Sequence, residues 1–282
     1  MNKTKIKKYC IAFIILILAG LINELPKYKD YYDGLLHVYF FDVGQGDSIL
    51  IKTPDRKLIL TDGGYNDYVM YRLSDVLPFW VNYIDYVVVS HSHADHIFGL
   101  ISLVENYGIG CVQYNDISNS ISKVEDEFRS ILLSNGIFVS NDCIDGKMEY
   151  FIPGDVNNPN GLDDSNPNLS SLISIYTYKD FDLLLTGDAE IPEQTVALPR
   201  FSKDIEIIKV PHHGSFDSFY RPLLLALKPE AAVISVGKNN SYHLPSKLTL
   251  KGYEDLGINV FRTDLDGTIE VVSDGYLWSI VE

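Results

Sequence analysis

Short apolar runs rich in β-branched residues recur along the chain: LLHVYFF, SILIKT, KLILT, YVVVS, SLISIY, FDLLLT, IEIIKV, AAVISV, INVFRT and TIEVV. Runs of this length, bounded by turn-forming residues, read as strands. The early ones follow one another closely, as hairpins do. The later ones alternate with helical periodicity at 98–107, 118–134, 191–198, 218–228 and 246–256. The pattern predicts an α/β (α+β) chain with two mixed sheets and helices on their outer faces. A chain of 282 residues is long enough to bury such a core.

The first 34 residues are expected to stand apart from that core. Lys3, Lys5, Lys7 and Lys8 precede an apolar run from Cys10 to Ile22. A run of this length suits the hydrophobic segment of a signal sequence and is short for a full span of about 20 residues. No good small-residue cleavage site follows, so an uncleaved signal anchor is favoured over a cleaved signal peptide. The lysines then stay in the cytoplasm, and the domain at 35–282 lies outside the cell membrane, or is secreted if the segment is cut. Residues 24–34 read as a short linker. The polar stretch NNPNGLDDSNP at 157–167 reads as a loop over a site.

Several strand-like runs end in metal-capable side chains. YVVVS leads into His91, His93, Asp95 and His96; FDLLLT into Asp188; IEIIKV into His212 and His213; KLILT into Asp62. Strands of a sheet commonly deliver functional groups at their carboxyl ends, so the repetition brings distant positions to one rim. The spacing HxHxDH lets His91 and His93 face one metal and Asp95 and His96 another. Imidazole and carboxylate together suit zinc, manganese or iron. Cysteine has no finger spacing: Cys111 and Cys143 could pair, but two separate buried thiols are the expectation. Between Val43 and Ser48, VGQGDS has two glycines through which backbone amides can approach an anion, and Asp42 and Asp47 there can equally be turn residues.

The motifs FDVGQGDSILI, LTDGG, VVVSHSHADHIFGL, NLSSLISIY, LLLTGDAE, IKVPHHGS, VISVGKNNSYHLPS and RTDLDGTI occur in that order. Together they resemble the metallo-β-lactamase superfamily, and within it the metallo-β-lactamase-like domain of the competence DNA-uptake protein ComEC. The resemblance runs from Leu35 to Glu282 and implies a four-layer αββα sandwich carried by one N-terminal apolar segment. It implies two divalent metal ions, zinc or manganese. His91 and His93 would hold the first, Asp95 and His96 the second, and Asp188 would bridge them. His213 would complete the second site, with His212 as the alternative ligand or a supporting group, and Asp62 would support the histidine loop. Many hydrolases of this fold add a third histidine to the first metal. This chain has none between His96 and His212, and Asn168 stands in the matching stretch as a weaker amide ligand. His243, by the same resemblance, reaches the substrate's phosphate or protonates the leaving group. The catalytic candidates are Asp95, His212 and His243.

The implied chemistry is hydrolysis by water activated on metal. A phosphodiesterase or nuclease fits best, with a phosphoester, including DNA, as substrate. An extracytoplasmic phosphocholine or teichoic-acid esterase is the alternative, and a non-catalytic metal-binding module the third reading. Acidic residues outnumber basic ones 38 to 23, and four of the basic ones crowd into the first eight positions. The remaining surface repels polyanions at long range, so a nucleic acid would need metal or a local basic strip.

Overall fold

The computed structural model describes residues 3–114, 122–140, 143–144, 148–151, 167–201 and 203–281. After the helix α1 (Lys3–Tyr32) the chain lays down β1 (Leu36–Phe40), β2 (Ile49–Lys52), β3 (Leu58–Thr61), α2 (Tyr68–Val76), β4 (Tyr83–Val89), α3 (Ala94–Asn106), β5 (Gly108–Tyr114), α4 (Lys123–Ser134) and β6 (Val139–Ser140). A second sheet follows: β7 (Met148–Phe151), β8 (Ile173–Tyr178), β9 (Phe181–Leu185), α5 (Ile191–Ala197), β10 (Ile207–Lys209), α6 (Arg221–Leu227), β11 (Ala231–Ile234), α7 (Lys247–Asp255) and β12 (Asn259–Arg262). The short α8 (Thr263–Asp266) then returns the chain to the first sheet as β13 (Ile269–Ser273) and β14 (Trp278–Val281).

The strand orders are β14-β13-β1-β2-β3-β4-β5-β6 and β12-β11-β10-β9-β8-β7. Each sheet is antiparallel at one end and parallel at the other; β3, β4 and β5 run parallel, as do β9, β10, β11 and β12.

The period-2 alternation of strand side chains sorts the apolar residues into layers. Leu36, Val38 and Phe40 meet Leu183, Leu185, Ile207 and Val233 between the two sheets. Tyr39 and Phe41 point the other way, with Val87 and Val89, onto Leu73 of α2, Leu100 of α3 and Phe128 of α4. On the far face Leu184, Ile208 and Ile234 pack against Leu224 of α6 and Tyr253 of α7. Both sheets are therefore covered on both faces, which explains why so many of the strands read as continuous apolar runs. The four-layer sandwich expected above is present. The helix α2, absent from the periodicity reading, is added to it.

Two expectations are corrected. Residues 24–32, read as a linker, are the last turns of α1, which runs unbroken to Tyr32 with Pro26 inside it. They dock on the domain: Lys27 Nζ donates to Ser74 O at 2.7 Å, Glu24 Oε2 accepts from Phe79 N at 3.1 Å, and Lys52 Nζ donates to Asp30 O. Second, Cys111 on β5 and Cys143 after β6 are joined as a disulfide, with Cα atoms 5.9 Å apart. The bridge closes a loop with a sequence separation of 32, which the chain-entropy account values at about 4 kcal/mol. Cys143→Ser is expected to lower the melting temperature by about 7–15 °C. Calorimetry of the oxidised wild type against the variant checks this; equal melting temperatures would contradict it.

Candidate metal centre

The site is assembled from strand ends. Beyond β4 come Ser90, His91, Ser92 and His93, and the first turn of α3 supplies Asp95 and His96. Beyond β3 the chain turns at Asp62, in the left-handed region at φ 59°. Beyond β9 come Thr186, Gly187 and Asp188; beyond β10 come Pro211, His212 and His213. Because β3 and β4 are parallel, and β9 and β10 are parallel, each pair delivers both ends to the same edge. His212 and His213 also have left-handed backbones, at φ 49° and 52°, conformations that cluster at functional sites because the surroundings must over-determine them. Gly46 completes the wall. A Cβ there would lie 2.0 Å from the carbonyl oxygen of Asp95, so only glycine lets the 43–48 loop lie against the start of α3.

The imidazoles are oriented from behind. His96 Nδ1 lies 2.8 Å from Asp62 Oδ2, and Asp62 also accepts from Ser90 N at 2.8 Å and Ser90 Oγ at 2.6 Å. His213 Nδ1 donates to the carbonyl of Ser235 at 2.8 Å. Both rings are thereby turned so that Nε2 faces inward. His96 Nε2 is 3.4 Å and His213 Nε2 3.5 Å from Asp188 Oδ2, and His213 Nε2 is 3.4 Å from Asp95 Oδ2. The two nitrogens are buried and make no hydrogen bond. His91 Nε2 lies 4.0 Å from the same Asp188 oxygen and 3.1 Å from His93 Nδ1. Ligands bonded to one ion at about 2.0–2.1 Å in a tetrahedral array stand about 3.3 Å apart, close to the spacing of the His96, His213, Asp95 and Asp188 atoms. Three overlapping donor groups result, Asp95–His96–His213, His91–His96–Asp188 and Asp47–Asp62–His96, with His96 common to all.

Electrostatics point the same way. Asp47, Asp62, Asp95 and Asp188 converge on a buried region whose one permanent cation, among the described residues, is Lys209. Lys209 Nζ is paired with Asp47, donates to Gly187 O at 2.8 Å and lies 3.6 Å from Asp188 Oδ1. Burial opposes its charge, but Asp47 and Asp188 outweigh burial and raise its pKa. Burial likewise opposes protonation of His96, yet Asp188 and Asp62 hold its pKa well above the ordinary value. His213 is raised for the same reason, through Asp188, Asp95 and Asp47. Burial would raise Asp188, but His213, His96 and Lys209 hold it well below the usual carboxylate range. His91 differs: burial, aided by His96, keeps it well below the ordinary histidine value. The carboxylates hold positive charge on Lys209, His96 and His213, and a divalent cation fits that demand.

Other predicted residues take outer places. Asn168 is buried and its Nδ2 donates to Glu190 Oε1 at 3.3 Å. His212 is partly exposed, with Nε2 3.8 Å from Asp188 Oδ2 and Nδ1 3.9 Å from Glu190 Oε1. A cavity of about 580 Å³ opens over the site between Gln45, Tyr65, His93, Asp95, His212 and Tyr242. His243 is exposed and is not among the cavity-lining residues, although its neighbours Tyr242 and Leu244 are. The 157–166 part of the polar stretch read as a loop over the site lies outside the described residues.

Lys209, Glu190 and Tyr65 escaped the sequence reading, and Asp47 was left open there as a turn residue. For Lys209 a signal existed: a lysine inside the apolar run IEIIKV, two residues before the PHHGS turn.

Residues 41–159 match the model of the metallo-beta-lactamase superfamily. Among curated proteins, the chain is 28% identical over 258 residues to ComE operon protein 3 of Bacillus subtilis (strain 168), covering 83% of this chain and 32% of that protein. It is 25% identical over 260 residues to Competence protein ComA of Neisseria gonorrhoeae, covering 91% and 35%. The chain thus spans about a third of the length of these relatives. Among solved structures it resembles Tm1679, a metal-dependent hydrolase of the beta-lactamase superfamily, with a TM-score of 0.53 and 13% identity over 88% of this chain and 99% of that one. It also resembles the metallo-beta-lactamase fold protein YhfI from Bacillus subtilis, with a TM-score of 0.54 and 12% identity over 83% and 99%. At these identities the two structures speak for the fold alone.

Proposed function

We propose, from the premise that this chain is a metallo-β-lactamase superfamily protein resembling the ComEC competence proteins, that it is a metal-dependent hydrolase acting on phosphodiesters. The observation that carries the reading is the convergence of the partnerless Nε2 atoms of His96 and His213 on one oxygen of Asp188. Asp95, His96, His213 and Asp188 would hold one divalent ion; His91, His93, Asp188 and Asn168 would hold a second. Bound there, zinc or manganese supplies Lewis acidity and makes water acidic enough to attack an ester near neutral pH.

The protein's own groups do the rest. Asp62 and the Ser235 carbonyl hold two imidazoles in register. His212, partly exposed beside Asp188, is placed to donate a hydrogen bond to a phosphoryl oxygen. Tyr65 and Tyr242 line the mouth, where a base or another flat group can rest. His243 stays the candidate proton donor for a leaving group that extends to the rim.

The apolar part of α1 would anchor the protein in the cell membrane with the domain outside. The Cys111–Cys143 bridge supports that side, since such bonds persist in oxidising compartments. That location also favours a second reading, an esterase for phosphocholine or teichoic-acid-type esters.

The test begins with elemental analysis of protein purified under metal-replete conditions. Rates follow on bis(p-nitrophenyl) phosphate, single-stranded DNA and p-nitrophenylphosphorylcholine with added manganese. Bound metal and phosphodiester hydrolysis are expected. Metal without hydrolysis of any ester would leave a binding module; a preference for the phosphocholine ester would favour the second reading. In the same assays His243→Ala should keep its metal and its nitrophenyl rate. It should lose about 10²–10⁴-fold on an alkyl ester, the usual worth of a placed general acid. Equal loss on both esters would make His243 a binding group.

A further inference from the structure

The end of α1 docks on the domain at Ser74, Phe79 and Lys52, and the turn after α2 carries an exposed aromatic pair. Leu77 and Pro78 are buried, while Phe79 and Trp80, the next two residues, are 78% and 43% exposed. The backbone of Phe79 is held by Glu24, and the Trp80 ring lies 6.2 Å from that of Tyr28. The pair is therefore level with residues 24–28 of α1. The apolar run of that helix ends at Ile22, and its described side chains, such as Phe13, Leu16 and Ile22, are exposed. At 1.5 Å of rise per residue, Glu24 and Tyr28 stand about 3–9 Å beyond the end of the run. The headgroup layer outside a bilayer's hydrocarbon core is roughly 5–7 Å thick on each side. Tryptophan and its aromatic neighbours favour that layer because the ring is apolar and its edge is polar.

We infer that Phe79 and Trp80 insert into the headgroup layer of the membrane that α1 enters, so that the domain rests on a phospholipid surface instead of swinging from a tether. The inference rests on the anchor reading above. Two contacts follow from it, the helix and the Phe79–Trp80 turn, and because α1 reaches the domain without a joint, the second is set by the first.

The experiment uses the full chain and its Trp80→Phe variant, each reconstituted into vesicles of equal parts phosphatidylethanolamine and phosphatidylglycerol. The acyl chains carry bromine near their carboxyl ends, where it quenches a tryptophan at headgroup depth. Trp278 on β14 is the other tryptophan and serves as the internal reference. The expected result is that both proteins float with the vesicles and that the wild type loses a share of its emission that Trp80→Phe does not lose. Flotation with equal quenching of the two proteins overturns the membrane contact and leaves the anchor standing; self-association of the floated protein without extra quenching is the same outcome and assigns the patch to a second copy. Failure to float removes the anchor and the inference together.

Discussion

Asp188→Ala is expected to strip the protein of most of its metal and to lower phosphodiester hydrolysis by about 10³-fold or more, the equivalent of several kcal/mol of lost transition-state stabilisation. The reason is position. One carboxylate oxygen stands within 4.0 Å of Nε2 of His91, His96, His212 and His213. Both of the ion sites proposed above draw on it. Asn168, by contrast, offers a neutral amide and sits at the edge, tied to Glu190. Asn168→Ala should therefore weaken metal retention by about 10–100-fold, the range seen when supporting groups are lost, and leave one site loaded. Elemental analysis after dialysis, with rates on the same samples, separates the two variants. Equal metal content in both would contradict the bridging role proposed for Asp188.

Lys209→Met should cost about 3–5 kcal/mol of folding stability, because it leaves the fully buried Asp47 carboxylate without its cation. Adding Asp47→Asn should recover much of that loss, since the uncompensated charge is then gone. Urea denaturation in the presence of a chelator measures both without interference from metal. Metal should also rescue the single variant in part. A divalent ion and Lys209 draw on the same carboxylate, Asp188, and removing one raises the demand for the other. If the double variant is as unstable as the sum of the two single ones, Lys209 and Asp47 do not act as a pair.

The parts of this arrangement visible in the chain were those with local density. Three histidines and an aspartate within six positions after YVVVS announce themselves, and Asp188 is marked by its place after FDLLLT. His213 could not be told from His212 in the residues; the difference is that Ser235, just beyond the neighbouring strand β11, takes Nδ1 of one and not the other. Asp47 was indistinguishable from a turn residue because its partner, Lys209, is distant in sequence. Lys209 was not singled out, since burial of a charge is a property of the layers and not of the run. The disulfide was hidden for a similar reason: β5 and β6 are parallel neighbours, and only that pairing brings Cys143 to Cys111. The end of α1 was misread through Pro26, which removes one helical hydrogen bond but here leaves the helix continuous into its docked turns.

The placement of β1 also dictates an order of assembly. One of its neighbours, β2, is the next strand in the chain; the other is β13, with Leu36 opposite Ser273. During synthesis the first edge is satisfied almost at once, and the second waits while the whole of the other sheet is made. Until then β1 offers open backbone groups, and the apolar face of Leu36, Val38 and Phe40 lacks part of its cover. Closure is a late, long-range event, of the kind that slows folding. A chain cut before Ile269 would not be a slightly shorter version of this protein. It would carry an unfinished seam in the interior of its larger sheet.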